Sequence, residues 1–218
     1  MRRGVIILLA AASGALAACG GGTTSTQSAL PGGCQQVAKP PPKHRQLPRP
    51  PRTVSHADPL TAVVDTTCGR FGINLDTGGS PRTVNSFLYL ARKGFYGDTT
   101  FHRIVPGFVI QGGDPLQNGR GGPGYQVTER PPAHTTYRRG TVAMAKSPVE
   151  PAGRSGSQFF VVLAPDAGLP PNYAVLGKVT SGYDVVRRIG TLGTRSTGSA
   201  GTPVATVVIR RVTVSRGR

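Results

Sequence analysis

Residues 101–114 read FHRIVPGFVIQGGD, and this stretch decides which fold the sequence predicts. It places Arg103 and Gln111 among apolar residues that favour β-strands, and its closing pair of glycines favours a turn. Residues 156–162 read GSQFFVV and combine the same types of residue, a polar amide followed by aromatics and valines. The two stretches together predict short strands on which a few polar side chains stand beside apolar ones.

Outward from these stretches, the sequence predicts a mainly β domain with two helices. Residues 61–75 favour two strands around a glycine turn. Residues 80–94 favour a helix, because Ser80 is a suitable N-cap, Pro81 suits the first helical position and Gly94 suits the C-terminal cap. Other strands are predicted at residues 101–111, 140–145, 158–163, 175–179 and 206–214, and a second short helix at residues 182–190. Many short strands with only two helices favour a closed β-barrel over a parallel α/β sheet.

The N-terminus resembles the export signal of a bacterial lipoprotein. Two arginines precede a short apolar run at residues 5–12, and residues 16–19 read LAAC, which is similar to a lipobox. Residues 1–18 are therefore predicted to be a signal peptide, and Cys19 is predicted to carry the lipid. An ordinary cleaved signal with an incidental Cys19 is the alternative. Several acyl chains would hold the protein stably on the extracytoplasmic face of the cell membrane.

Residues 19–57 are predicted to be a disordered tether, and the globular domain is predicted over residues 58–218. The tether is rich in glycine, serine and threonine at its start and in proline and basic residues later. It has almost no apolar periodicity from which a core could be built. The simplest interpretation is a solvated spacer, and attraction to anionic headgroups or cell-wall polymers is the alternative.

The chain is strongly basic, with 26 Lys+Arg against 9 Asp+Glu and a formal net charge of +17. Such a charge is compatible with a nucleic-acid partner. However, the arginines are scattered, no recognition helix is evident, and export would separate the protein from nucleic acid. No nucleic-acid partner is therefore expected.

The cysteines and histidines predict no metal site. Cys34 and Cys68 form a possible disulfide in an oxidising compartment, although Cys68 in a strand is equally compatible with a small buried apolar residue. The four histidines show no ligand spacing with the cysteines. Residues 119–124 satisfy the pattern G-x-G-x-x-G, but Pro123 prevents the helix that a dinucleotide site requires. No metal and no cofactor is expected.

Together, residues 101–114 and 156–160 resemble the FHRxxxGFxxQGGD and GSQFF signatures of the cyclophilin family of peptidyl-prolyl cis-trans isomerases. Residues 81–87 resemble the first helix of that family, and residues 175–179 resemble a late strand. The resemblance covers about residues 60–215. It implies a closed eight-stranded antiparallel β-barrel capped by two α-helices. It also implies an isomerase that acts on proline-containing peptides and unfolded exported proteins, and the protein is expected to be a monomer.

The resemblance also implies a set of site residues. The catalytic residues by position are Arg103, Gln111 and Phe108. The peptide-binding residues by position are Val109, Gly119, Ala145, Lys146, Ser147, Gln158, Phe160, Leu169 and Tyr173. Lys146 and Ser147 stand where the family commonly has asparagine and alanine, so the peptide preference is expected to differ.

The chemistry of prolyl isomerisation is compatible with these residue types. Resonance in the amide creates a barrier of about 18–20 kcal/mol between the cis and trans forms. A catalyst needs only to stabilise the twisted amide, whose nitrogen has regained its lone pair, more than the planar one. A permanently charged donor such as Arg103 suits that task. A non-catalytic proline-binding or chaperone module is the alternative, and a surface adhesin is a weaker one.

Overall fold

A computed structural model describes residue 1 and residues 29–30, 32–194 and 201–217 of the chain. Its two helices are α1 (Pro81–Arg92) and α2 (Tyr183–Gly190). Its strands are β1 (Ala29–Leu30), β2 (Cys34–Gln35), β3 (Leu60–Thr66), β4 (Gly69–Leu75), β5 (Thr99–Thr100), β6 (Arg103–Val105), β7 (Val109–Gly112), β8 (Val127–Thr128), β9 (Thr141–Met144), β10 (Arg154–Ser155), β11 (Phe159–Val162), β12 (Val175–Ser181) and β13 (Val208–Arg216). The predicted mainly β composition with two helices is confirmed.

Nine of these strands form one antiparallel sheet in the order β5-β13-β3-β4-β12-β9-β11-β7-β6. The prediction of a closed eight-stranded barrel is therefore wrong, because the sheet is curled but has two edges, β5 and β6. Phe101 and His102 alone separate these edge strands in the chain. The backbone N–H of Phe101 donates to Val207, and that of Ile104 donates to Gly201. These backbone groups bond to the segment before β13, so they do not pair β5 directly with β6, as closure of the barrel would require.

Residues 101–111, which were predicted to form one strand, form a hairpin of β6 and β7. Pro106 and Gly107 form the turn between β6 and β7, and Gly107 has a φ of 75°. The N–H of Phe108 donates to the carbonyl of Val105 at 3.0 Å. Proline followed by glycine is a strong turn signal, and here it divides an otherwise continuous apolar pattern.

Helix α1 packs its apolar face into the main core, but its N-terminus is capped by a residue that is distant in the sequence. Ser80 makes no capping hydrogen bond with its side chain. Instead, the carboxylate of Glu129 accepts hydrogen bonds from the N–H groups of Arg82 (3.2 Å) and Thr83 (2.8 Å). A negative charge at this end of a helix also interacts favourably with the helix dipole. Gly94 ends the helix with a φ of 63°, as predicted.

The apolar side chains of β11 divide between two clusters. Phe159 and Val161 lie in the main core between the sheet and the helices. Phe160 and Val162 point to the opposite face, into a smaller cluster. All four residues are buried, so this strand is covered on both faces. Because side chains alternate along a strand, Phe159 packs in the main core, whereas Phe160 packs in the smaller cluster on the other face of the sheet.

Residues 34–57, called the strap below, lie along the surface of the domain, which differs from the predicted disordered tether. A disulfide joins Cys34 to Cys68, with a Cα–Cα distance of 4.0 Å. Leu47 and Val54 pack against the main core. These long-range contacts supply the stability that local apolar periodicity does not. The boundary at residue 58 stays a prediction.

The predicted signal peptide and the predicted lipid site, Cys19, lie outside the described residues, apart from residue 1. Within the part of the chain that the structure describes, no helix is long and apolar enough to cross a membrane.

Candidate active site

Four strands place the central candidate residues in one row. Arg103 of β6 lies opposite Gln111 of β7, Gln111 lies opposite Phe160 of β11, and Phe160 lies opposite Ala143 of β9. Directly opposed residues of antiparallel strands present their side chains on the same face of the sheet. The row therefore brings the charge of Arg103, the amide of Gln111 and the ring of Phe160 to a common surface.

A cluster of apolar side chains lies on this face, and its surface is called the prolyl pocket below. Its buried members are Val109, Tyr137, Ala143, Phe160, Val162 and Ala164. Its partly buried members are Phe108, Ala145, Ala167, Leu169, Tyr173 and Val175. The rings of Phe160 and Tyr173 meet edge to face, with centroids 5.4 Å apart. Such a pocket offers apolar and aromatic surface for a small ring such as proline.

Tyr137 is a residue of this pocket that the sequence did not indicate. Its side chain is fully buried. Its hydroxyl donates to the carbonyl of Tyr173 at 2.7 Å and accepts from the N–H of Tyr173 at 2.9 Å. Tyr137 therefore fixes the backbone that carries the Tyr173 ring. Residues 134–138 contain no motif that could have revealed this role before the tertiary contact was known.

The amides of Gln111 and Gln158 form a chain beside the prolyl pocket. The Nε2 of Gln111 donates to the Oε1 of Gln158 at 3.1 Å. The Nε2 of Gln158 in turn donates to the carbonyl of Gly121 at 2.9 Å. Because each amide is held by the next, the side chain of Gln111 keeps a defined orientation next to Arg103.

Arg103 is half-buried, and this burial lowers the pKa of its guanidinium, whereas Tyr173 acts in the opposite direction. An arginine pKa is so high that the group still carries its charge at neutral pH. Partial exclusion of water strengthens the interaction of this charge with a bound amide. Arg103 is therefore a partly buried cation beside the prolyl pocket.

Asp114, at the end of the QGGD stretch, organises the loop that follows. Its buried carboxylate accepts hydrogen bonds from the N–H groups of Leu116 (2.8 Å), Asn118 (3.0 Å) and Gly119 (2.6 Å). Gly119 has a φ of 84°, a backbone conformation that favours glycine. The sequence alone gave no role to Asp114, and the structure makes it the support of Gly119.

Lys146 and Ser147 form a tight turn with Glu150. The ammonium of Lys146 donates to the carbonyls of Ser147 (2.9 Å) and Glu150 (2.8 Å) and lies 5.8 Å from the ring centroid of Tyr173. The N–H of Ser147 donates to the Glu150 carboxylate at 2.6 Å. Burial alone would raise the pKa of Glu150, but hydrogen bonds from Ser147 and Gln126 hold it below its ordinary value. The turn is thus held by charge-assisted hydrogen bonds.

A cavity of about 800 Å³, called the side groove below, adjoins the prolyl pocket, with which it shares Ala145. The side groove is also lined by Gln111, Gly119, Lys146, Ser147 and Gln158 among the predicted site residues. Apart from Arg103, the predicted site residues therefore lie in two adjoining places: Tyr173 and the apolar ones belong to the prolyl pocket, and the others line the side groove. Their individual roles stay predictions.

The described residues contain no group of three or more His, Cys, Asp or Glu side chains that could hold a metal ion. Prolyl isomerisation requires none, because no bond is broken and no proton is transferred in it.

Comparison with known proteins gives a consistent result. The family described as cyclophilin type peptidyl-prolyl cis-trans isomerase/CLD matches residues 61–214. The peptidyl-prolyl cis-trans isomerase-like 1 of Gibberella zeae is 38% identical over 156 residues, which covers 70% of this chain and 93% of that protein. A cyclophilin type isomerase from Cryptosporidium parvum superposes with a TM-score of 0.64 at 27% identity, covering 72% of this chain and 98% of the other.

A bacterial relative extends further along the chain. The probable peptidyl-prolyl cis-trans isomerase B of Mycobacterium leprae is 36% identical over 197 residues, covering 82% of this chain and 63% of that protein. This share is longer than residues 61–218 alone, so the match includes part of the segment before the family region. With the row of site residues and the prolyl pocket, these matches lead to one conclusion: the chain belongs to the cyclophilin type family of peptidyl-prolyl cis-trans isomerases.

Proposed function

We propose that this chain isomerises Xaa-Pro bonds without covalent chemistry and that Arg103 stabilises the twisted amide. The observation that carries the proposal is the row in which Arg103, Gln111 and Phe160 share one face of the sheet. The proline ring would enter the prolyl pocket against Phe160. The guanidinium of Arg103 would then donate to the prolyl nitrogen, whose lone pair is free only in the twisted state.

This arrangement favours the transition state and not the substrate. In the planar amide the nitrogen lone pair is delocalised, so Arg103 gains little from it. As the bond twists, the nitrogen becomes a hydrogen-bond acceptor, and the interaction strengthens when the barrier is highest. The apolar pocket holds one side of the amide, and the rest of the peptide rotates.

We further propose that the protein is a lipoprotein that assists the folding of exported proteins. The support is the LAAC stretch at residues 16–19 and the short apolar run before it. Lipid on Cys19 would keep the enzyme at the extracytoplasmic face of the cell membrane. Uncatalysed prolyl isomerisation takes tens of seconds or longer, so newly exported chains would benefit from a catalyst there. Mass spectrometry of the membrane-extracted protein should find acyl mass on an N-terminal Cys19, and an unmodified mature N-terminus would refute this.

Catalysis by Arg103 is tested by NMR exchange measurements on a proline-containing peptide with the full chain. Arg103→Ala should lower kcat/KM about 10²-fold to 10³-fold, the range found when one electrostatic donor is removed from an active site. Arg92→Ala, which removes an exposed arginine of α1, is the matched control and should keep the activity. If the parent binds the peptide but leaves its exchange rate unchanged, the domain is a non-catalytic binding or chaperone module.

A further inference from the structure

Within the described residues, the hairpin of β1 and β2 is the point where the segment that follows Cys19 meets the folded domain. Leu30 of this hairpin packs against the main core and follows Cys19 by 11 residues. The second strand of the hairpin is fixed by the disulfide between Cys34 and Cys68. A lipid on Cys19 would therefore hold this end of the domain closest to the bilayer.

Two arginines of the domain lie against the hairpin. The guanidinium of Arg210, at the start of β13, donates to the side-chain carbonyl of Gln35. The side chain of Arg188 in α2 lies beside Gly32, because a β-carbon placed on that glycine would be 3.1 Å from the Cγ of Arg188. The guanidinium of Arg188 also donates to the carbonyl of Cys68 at 2.9 Å. The hairpin is thus bordered by positive charge.

Three more arginines continue this positive surface. Arg187 is the exposed neighbour of Arg188 in α2, and α2 packs against β4. Asp65 of β3 lies opposite both Arg211 of β13 and Arg70 of β4, so these three side chains share one face of the sheet. The five arginines are called the basic face below: Arg70, Arg187, Arg188, Arg210 and Arg211.

Two aspartates lie within the basic face, and five arginines against these two leave a net charge of +3. Asp65 is ion-paired with Arg70 at 3.2 Å, and 17% of the aspartate side chain is exposed against 68% of the arginine side chain. This pair therefore presents its cation to the solvent. Asp184 pairs at 3.6 Å with the arginine one turn later in α2. Asp98, beside β13, is neutralised by Lys43 at 2.6 Å.

The prolyl pocket lies on other strands of the sheet. Its strand residues come from β7, β9, β11 and the start of β12, whereas those of the basic face come from β4 and β13. In the order of the sheet, β3, β4 and β12 separate β13 from β9 and β11. The two surfaces share no residue, so contact at the basic face leaves the prolyl pocket open to a peptide.

We propose that the basic face binds the anionic headgroups of the membrane and so orients the domain on the bilayer. The inference rests on the lipid anchor proposed above for Cys19. Attraction between an arginine and an anionic bilayer extends over about one Debye length, which is about 8 Å at physiological ionic strength. An anchor that holds the hairpin near the bilayer would bring the basic face within that distance, and its positive charge would then fix the orientation.

The test measures cosedimentation of the protein with lipid vesicles. It uses the full chain with Cys19→Ser, which cannot be acylated at this position. One set of vesicles is pure phosphatidylcholine, and the other contains equal parts of phosphatidylcholine and phosphatidylglycerol. We expect the partition coefficient to be at least about tenfold higher for the anionic vesicles and to fall at high salt.

Two double variants with the same loss of charge test the orientation. Arg187→Gln/Arg211→Gln removes two exposed members of the basic face that make no hydrogen bond or ion pair within the part of the chain that the structure describes. It should lower the partition coefficient for anionic vesicles about 25-fold, which is about fivefold per charge. The control Arg52→Gln/Arg138→Gln removes two exposed arginines outside the basic face and should change it less than about twofold.

The rate of isomerisation of a free peptide in solution should be the same in Arg187→Gln/Arg211→Gln as in the parent, which shows that the variant is folded. Equal losses of binding in the two double variants would overturn the inference, and so would equal binding to the two sets of vesicles. Binding to soluble polyphosphate without binding to vesicles would overturn the membrane as the partner. Because the tested chain carries no lipid on residue 19, mass spectrometry of the native N-terminus decides the lipid anchor separately.

Discussion

Removal of the Cys34–Cys68 disulfide should destabilise the folded protein by about 4 kcal/mol. The two cysteines are 34 residues apart in the chain. In the chain-entropy treatment of cross-links, closing a loop of this length in the unfolded state contributes on the order of 4 kcal/mol at 25 °C. Both cysteines are buried, so alanine at both positions leaves small apolar side chains in place of the bridge.

The assay is thermal and urea unfolding of the full chain with intact cysteines and of the double variant Cys34→Ala/Cys68→Ala. For a protein of this size, a loss of 1 kcal/mol lowers the Tm by about 2–4 °C, so a decrease of about 8–16 °C is expected. A reductant should lower the Tm of the parent to that of the double variant and leave the double variant unchanged. A decrease of less than 2 °C would show that the unfolded chain gains little freedom from the lost cross-link, and the reasoning would be refuted.

Three further changes test other contacts. Asn85→Ala should lower the unfolding free energy by about 2–3 kcal/mol in urea unfolding, because the hydrogen bonds of this buried side chain to Pro51, Thr53 and Val54, each worth about 1 kcal/mol, are lost; an unchanged value would mean that the strap does not depend on this side chain. Glu129→Gln should cost about 0.5–1 kcal/mol by removing the charge at the N-terminus of α1, and the loss should diminish in high salt. Burial lowers the pKa of His102, although Asp114 opposes this. Because the unfolded chain then takes up the proton first, the unfolding free energy should fall as the pH drops below about 6.5. His102→Gln should show a smaller fall over the same pH range, and an identical fall would exclude His102 as its source.

The central strands and their chemistry could be predicted because the relevant signals are local. In residues 101–114 and 156–162 the alternation of side chains along a strand is visible in the sequence. Alternation requires Phe159 and Phe160 to lie on opposite faces of β11, as they do, whereas the assignment of Phe160 to the peptide site came from the resemblance to the family. The hairpin that places Arg103 opposite Gln111 was not predicted, because residues 101–111 were expected to form one strand.

The features that sequence reasoning missed depend on contacts between distant residues. Asn85 binds the strap more than thirty residues away, and Glu129 caps a helix that begins 48 residues earlier. Tyr137 supports Tyr173 through its hydroxyl and leaves no pattern in its own neighbourhood. The open sheet also escaped prediction, because a turn at Gly107 and the hydrogen bonds of residues 201–207 decide it together.

For the lipid-anchored form proposed above, the strap limits the distance that the enzyme can move from the membrane. With a free chain up to residue 58, the 39 residue steps from Cys19 would allow a reach of about 140 Å at full extension. Leu30 of β1 already packs against the main core, so 11 steps separate Cys19 from the first point fixed to the domain, which corresponds to about 40 Å at full extension. The enzyme would then stay within a thin layer next to the bilayer, where polypeptides emerge during export.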